Sequence, residues 1–404
     1  MVSTLGIVLA ALAGILLRPF GLREAYPAMA GALALVAFGL LPFGAALRAA
    51  GQGWDVYLFL AGMMLLAELA ALEGVFDWAA GLVARAARGS ALRLFCWVYA
   101  LAVLITVFLS NDATAVVFTP AVAVMARQAG VAQKLPYLLI CAFVANAASF
   151  VLPISNPANL VVYGAAMPDL AQWLRMFALP SAVAILATFL LLWATQAGGL
   201  RQTLAMPAPV ALQTGGRLTL AGLALMAFLL LASSALGWRL GPPAFAVGAG
   251  VTALVLLRAR QPPWPVLRGV SWSVLPLVAA LFIMLGALDR LGLAAQLARA
   301  TAGFGSFQLG AALAILTNLV NNLPAGLLAG HVLTHAAPAQ KAAALIAVDL
   351  GPNLSITGSL ATILWLTALR RHGESITVWR FLRLGVVMMP PVLALALYAL
   401  RVAV

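Results

Sequence analysis

The chain has 404 residues, 65% of them hydrophobic and only 8% charged, with a mean hydropathy of +1.08. A soluble domain carries about 25% charged and about 45–50% apolar residues, so this composition excludes a water-soluble fold and makes the lipid bilayer the solvent. The net charge of +13 is not a nucleic-acid footprint. The basic residues stand singly at the ends of apolar runs (Arg18, Arg48, Arg127, Arg258, Arg370), as loop anchors of a membrane protein do. Their spread along the sequence assigns neither side of the membrane.

In chain order, apolar runs occur at 2–17, 27–47, 54–72, 92–109, 135–152, 174–195, 218–236, 243–257, 271–288, 307–320 and 379–403. The longer ones match a hydrocarbon layer about 30 Å thick. The first run ends in "RPFGLREAYP" rather than a small-residue cleavage site, and reads as a span, not a removed leader. Shorter pieces at 114–126, 158–166, 323–334, 342–350 and 360–368 are too short to cross. They read as half-length or re-entrant helices, tolerated at membrane depth only inside protein or along a wet cavity.

Residues 197–217, rich in Gly and Pro, form the one credible linker. They divide an N-terminal repeat, 1–196, from a C-terminal repeat, 218–404. "LEGVFDWAAGLVARAARGS" (72–90) echoes "LDRLGLAAQLARATAGFGS" (288–306). Each is followed by a span and an Asn-rich break, "SNDATAV" or "NNLPAGL", and then by a second break, "ISNPANLVVYG" or "GPNLSITGSLAT". Paired interruptions in matching places of two halves mark the binding site of a transporter.

Of the ten acids, most sit at span ends or on the amphipathic segments. Glu68, near the end of an apolar run, either faces the interior or snorkels. Asp112 and Asp349 interrupt apolar sequence. A charge at such depth costs about 2.5–3.5 kcal/mol on insertion scales, so both are candidate proton carriers, although either could also cap a helix. The amides and hydroxyls gather at the same breaks: Ser110, Asn111 and Thr114; Ser155, Asn156 and Asn159; Asn321 and Asn322; Ser359 and Thr362. They suit a small neutral polyhydroxy solute or a weakly held ion, against the plainer reading of glue between helices.

Cys96 and Cys141 give no disulfide framework, and His331 with His335 lacks a third metal ligand nearby. No nucleotide-binding loop or hydrolase elbow occurs, so a secondary transporter rather than an enzyme is expected, without cofactor or resident metal.

"LSNDATAVVFTP", "SNPANLV", "NLVNNLPAGLL" and above all "DLGPNLSITGSLATILW" (349–365) resemble the ArsB-type arsenite efflux pumps of the ion transporter superfamily, and the blocks keep one linear order. The resemblance implies an all-α polytopic inner-membrane protein with about 10–12 transmembrane segments in two inverted repeats, each with a re-entrant hairpin and a broken helix. It implies export of arsenite, and similarly antimonite, as the neutral hydroxide in exchange for protons. In some members a soluble arsenite-stimulated ATPase docks on the carrier. A related sodium/proton or organic-anion carrier is the alternative. The chain departs from the pattern at Asn146, where members carry an acid, at Ala325, where they carry Thr, and at Asn353, where they carry Lys. The last change removes an expected charge partner of Asp349.

Overall fold

Nearly every apolar run becomes a helix, because only a helix satisfies its own backbone in lipid. A computed structural model describes residues 2–206 and 208–404; Met1, at the head of the expected first repeat, and Pro207, inside the expected linker, lie outside the described residues, as does the side chain of Phe20. The first half contains α1 (Val2–Leu17), α2 (Ala25–Ala37), α3 (Phe43–Gly51), α4 (Trp54–Leu72), α5 (Val75–Ala86) and α6 (Ala91–Phe108). A π-helical turn, Ala113–Phe118, then runs into α7 (Thr119–Gln128), followed by α8 (Leu135–Ala147), α9 (Pro157–Tyr163) and α10 (Leu170–Gln196). The second half contains α11 (Thr214–Ala235), α12 (Gly241–Ala259), α13 (Trp264–Gly269), α14 (Val274–Asp289) and α15 (Leu293–Thr301). It ends with α16 (Ser306–Val320), α17 (Asn322–Val332), α18 (Pro338–Leu350), α19 (Leu360–Arg371) and α20 (Val378–Ala403). Among the described residues the only pairing of β type is one isolated bridge, Ser90 to Thr203.

The run at 27–47 splits because Gly39, at φ 68°, ends α2, and Pro42 caps the start of α3. α5 and α15, the amphipathic echoes, each follow a glycine in the left-handed region, Gly74 and Gly292. Helix resumes at Thr214, inside the expected 197–217 linker. Among the described residues six helices are long and apolar enough to cross a bilayer alone, and α14 with α15 forms a pair bent by 81°. The remaining expected segments are shorter apolar helices, among them α1, α2, α8 and α16.

Helices of the two halves pack against one another. α12 lies on α4 and α2 on α14; α9 lies on α17 and α18, while α19 lies on α7 and α8; α10 lies on α20. The stretches 136–147 of α8 and 342–350 of α18 are wholly buried. The outer helices expose Leu33, Leu186, Phe228, Leu257 and Val386, the surface that lipid covers.

The α4–α12 crossing is set by two glycines. A Cβ at Gly62 would overlap the Ala244 carbonyl, and one at Gly248 would overlap the Gly62 backbone. Small residues let membrane helices approach at backbone distance. Gly248→Leu should therefore cost about 1–3 kcal/mol, as overpacking does, and lower the thermal unfolding midpoint in detergent. Gly250→Leu, on an open face of the same helix, should leave that midpoint in place.

Candidate functional site

Four helix starts meet around one cavity of about 20 Å³, lined by Asn111, Asp112, Asn156, Pro157, Asn322 and Leu360 among others. Each start is capped by a residue of the breaks. Ser110 Oγ accepts from the Ala113 amide at 3.2 Å, and Asn156 Oδ1 from the Ala158 amide at 3.0 Å. Asn321 Oδ1 accepts from the Leu323 amide at 3.5 Å, and Ser359 Oγ from the Thr362 amide at 3.1 Å. Asn321 holds φ 76°, the sharp corner that separates α16 from α17. A helix N-terminus carries about half a positive charge and several unpaired N–H groups, so the four together give a field of about +2. Two carboxylates balance it.

Asp112 lines the cavity itself. Asp349, fully buried at the end of α18, lies one hydrogen bond behind: Asn156 Nδ2 donates to its Oδ1 at 2.8 Å. Its Oδ2 is buried without a protein partner. Asn156 therefore does two things at once. Its oxygen starts α9 in the first half, and its nitrogen holds an acid of the second half. A proton on Asp349 alters the group that begins α9.

The structure divides the expected residues. Asn111, Asp112, Asn156 and Asn322 face the cavity. Ser110, Asn321 and Ser359 are caps, and Thr362 supports Ser359 through a 2.8 Å hydroxyl pair. Thr114 is turned away, bonded at 2.8 Å to Thr106, which donates to Ala102 O at 2.9 Å; it joins the π turn to α6. Ser155 donates to Val107 O at 2.9 Å. Asn159 donates to Ser149 O at 2.9 Å and Leu152 O at 3.1 Å. Both brace the 148–156 loop.

Sequence reasoning puts Asn318 and Asn146 at the breaks but not among the substrate-binding residues. Asn318 braces the matching loop of the second half, donating to Gly351 O at 2.9 Å and accepting from Ser355 Oγ at 2.6 Å. Asn146 Nδ2 donates to Asn353 Oδ1 at 2.9 Å, and Asn353 Nδ2 donates to Phe143 O at 3.1 Å. The two positions where an acid and a Lys are expected thus partner each other as neutral amides, so Asn353 is engaged with Asn146 rather than with Asp349. His331 Nε2 lies 3.0 Å from Asp289 Oδ1, a contact at the surface. Cys96 and Cys141 are both free.

A second cavity, about 70 Å³, adjoins the first through Leu60, Asp112, Pro157, Val274 and Leu360, and is also lined by Glu68. It opens through Gly269, Val270, Ser271 and Leu364 into a vestibule of about 550 Å³. The vestibule mouth carries Arg18, Arg23, Arg268, Arg371, Glu24 and His372, with Arg18 ion-paired to Glu24. Burial, reinforced by Arg127, lowers the His372 pKa from its ordinary 6.5, so at neutral pH the positive charge at the mouth belongs to arginine. Cavities on the opposite face, one lined by Arg48 and Arg239 and another by Asp289 and His331, share no lining residue with the central one.

A family model described as "CitMHS: Citrate transporter" matches residues 7–352. An arsenical pump membrane protein of Escherichia coli is 27% identical over 418 residues, covering 96% of each chain. One of Yersinia enterocolitica is 28% identical over 87% of each chain. A putative arsenical pump membrane protein of Bacillus subtilis is 25% identical over 92% of this chain and 93% of its own. Among solved structures, the YdaH transporter of Alcanivorax borkumensis, described as having an unusual topology, shares the fold. Its TM-score is 0.55 at 17% identity, over 89% of this chain and 86% of that one.

The Asn156–Asp349 contact makes a specific demand. Asn156→Ala leaves a buried carboxylate without its donor and should cost about 1–3 kcal/mol. A double-mutant cycle with Asp349→Asn, followed by thermal unfolding, should show non-additivity: the second change costs less once Asn156 is gone. Additive losses would mean that the two side chains do not interact.

Proposed function

The chain belongs to the citrate transporter (CitMHS) family, and from that premise we propose that it exports arsenite, and similarly antimonite, across the inner membrane in exchange for protons. That it is a multi-pass inner-membrane transporter follows from its apolar spans and its full-length relatives. The arsenite reading rests on one observation: a central cavity where uncharged amides and four helix starts face acids, with no Lys or Arg lining it among the described residues.

Arsenous acid at neutral pH is an uncharged trihydroxyl species. Its hydroxyls can donate to Asn oxygens and accept from Asn nitrogens and free backbone N–H groups. Hydrogen bonds of this kind contribute about 0.5–1.5 kcal/mol each, enough to select the solute and weak enough to release it. Two distant cysteines supply no three-thiolate trap. Citrate, by contrast, would bring negative charge against Asp112 without a cationic partner. A sodium or organic-anion carrier remains the second reading only in the family's description.

Four arginines line the vestibule, Arg18, Arg23, Arg268 and Arg371. The positive-inside rule puts its mouth on the cytoplasmic side. Arsenite then loads from the cytoplasm through the vestibule, as an exporter requires. Packing of the two halves against one another supports an inverted relation between them, by which rocking closes this mouth and opens its counterpart. Protons entering from outside neutralise Asp112, Asp349 or both; their loss to the cytoplasm restores the charge that balances the helix starts and readies the site for the neutral solute. The membrane potential supplies about 2.3 kcal/mol per charge per 100 mV. A soluble ATPase partner adds to this scheme without being required by it.

In everted vesicles, an imposed pH gradient, acid inside, should drive arsenite uptake. Asp112→Asn combined with Asp349→Asn should cut that uptake by about 100-fold or more, the scale of a lost proton-transfer group. Gradient-driven uptake that survives the double substitution would remove these acids from coupling. Citrate or sodium movement in place of arsenite would favour the second reading.

A further inference from the structure

We infer that Glu68 is a third proton-binding group, a relay between the vestibule and Asp112. The inference rests on the proton-coupled reading above. Glu68 sits on α4, within a membrane span, where ionisable side chains are costly and rarely idle. It is half-buried. Its side chain lines the 70 Å³ cavity that Asp112 and Ser110 also line, and that cavity leads to the vestibule. A water needs about 10–15 Å³ of such volume, so the cavity holds several, enough to bridge two carboxylates.

The surroundings leave Glu68 without a counter-ion. The charged groups on elements packed against α4 are Asp77 and Arg85 on α5, Asp112 before α7, Arg217 on α11, Arg258 on α12, Arg268 on α13 and Asp289 on α14; α9 contributes only Tyr163. Among the described residues none of these forms an ion pair with Glu68, and Asp112 is the one that shares its cavity. Apart from Ser110 and Ser271 the remaining lining is apolar, Phe59, Met63 and Leu364 among it. An acid held for structure would be paired; this one is kept free beside a second acid and a water-sized space.

Gly269 makes the room. It closes α13 at the vestibule edge, and a Cβ there would overlap the Glu68 carboxylate. The balance of the step is simple. Asp112 gives its proton to a bridging water, that water passes one to the Glu68 carboxylate, and Glu68 releases it to water in the vestibule. Asp112 ends ionised, and no other bond changes.

The test uses the full chain in proteoliposomes and two assays. The first is arsenite/arsenite exchange at equal pH, which needs no net proton movement. The second is arsenite uptake driven by a pH gradient, read together with proton release by a pH-sensitive dye. Glu68→Gln should keep exchange within about twofold while gradient-driven uptake falls about tenfold or more, the scale of a lost acid–base group. Glu68→Asp should recover part of the loss. Gly269→Ala, which only displaces a flexible side chain, should lower gradient-driven uptake in the same direction and spare exchange. Wild-type rates in both assays for Glu68→Gln would overturn the relay. So would equal loss of both assays in Glu68→Gln and Gly269→Ala, because Glu68 would then belong to the solute path. If the wild-type chain moves no arsenite in either assay, it is the arsenite reading that fails. The dye signal in Glu68→Gln, driven by whichever solute the chain does exchange, then still decides the relay.

Discussion

Backbone that stops being helical inside a membrane must find partners for its N–H and C=O groups, and everything at the centre of this protein follows from that need. Four helices begin at membrane depth. Ser110, Asn156, Asn321 and Ser359 cap them, and each cap leaves further N–H groups turned toward a common space. The positive field this creates would be intolerable in hydrocarbon without negative charge nearby. Asp112 and Asp349 provide it, and because they balance dipoles rather than fixed cations, either can take a proton without breaking an ion pair. Scaffold and the proposed coupling chemistry are the same set of atoms.

Most of the architecture was legible in the sequence because bilayer thickness and helix rise leave little freedom. Runs at 54–72, 307–320 and 379–403 became Trp54–Leu72, Ser306–Val320 and Val378–Ala403. The misreading at 27–47 came from treating Gly39 and Pro42 as tolerable within a span; together they stop one helix and start another. The breaks were visible as clusters of Asn, Ser and Asp. Which members faced the cavity was not, because capping, bracing and solute-facing roles draw on the same residue types. Thr114 and Asn322 are both polar residues beside a break, yet one bonds to the preceding helix and the other lines the site. That choice depends on the rotation of each helix, set by contacts made far away in sequence.

The pairing of Asn146 with Asn353 shows a different limit. Read singly, each looked like the loss of a functional charge. Read in space, they are one feature: two neutral amides joined by a hydrogen bond across the halves at 2.9 Å. Removing an acid and a base together keeps the local charge unchanged and spares the cost of burying ions. It leaves Asp349 with Asn156 as its hydrogen-bond donor at Oδ1, so the charge on that acid is read by one residue of the opposite half.

The complete enclosure of α18 between Ala342 and Leu350 has a consequence for biogenesis. This helix carries Gln340, Lys341 and Asp349 within thirteen residues, and alone it is a poor candidate for release into lipid. Its surroundings include α9, α16, α17 and α20, the last of which is synthesised after it. The segment must therefore be retained near the insertion machinery, or held at the interface, until the C-terminal span arrives to close over it. The helix that carries Asp349 is thus among the last to reach its place.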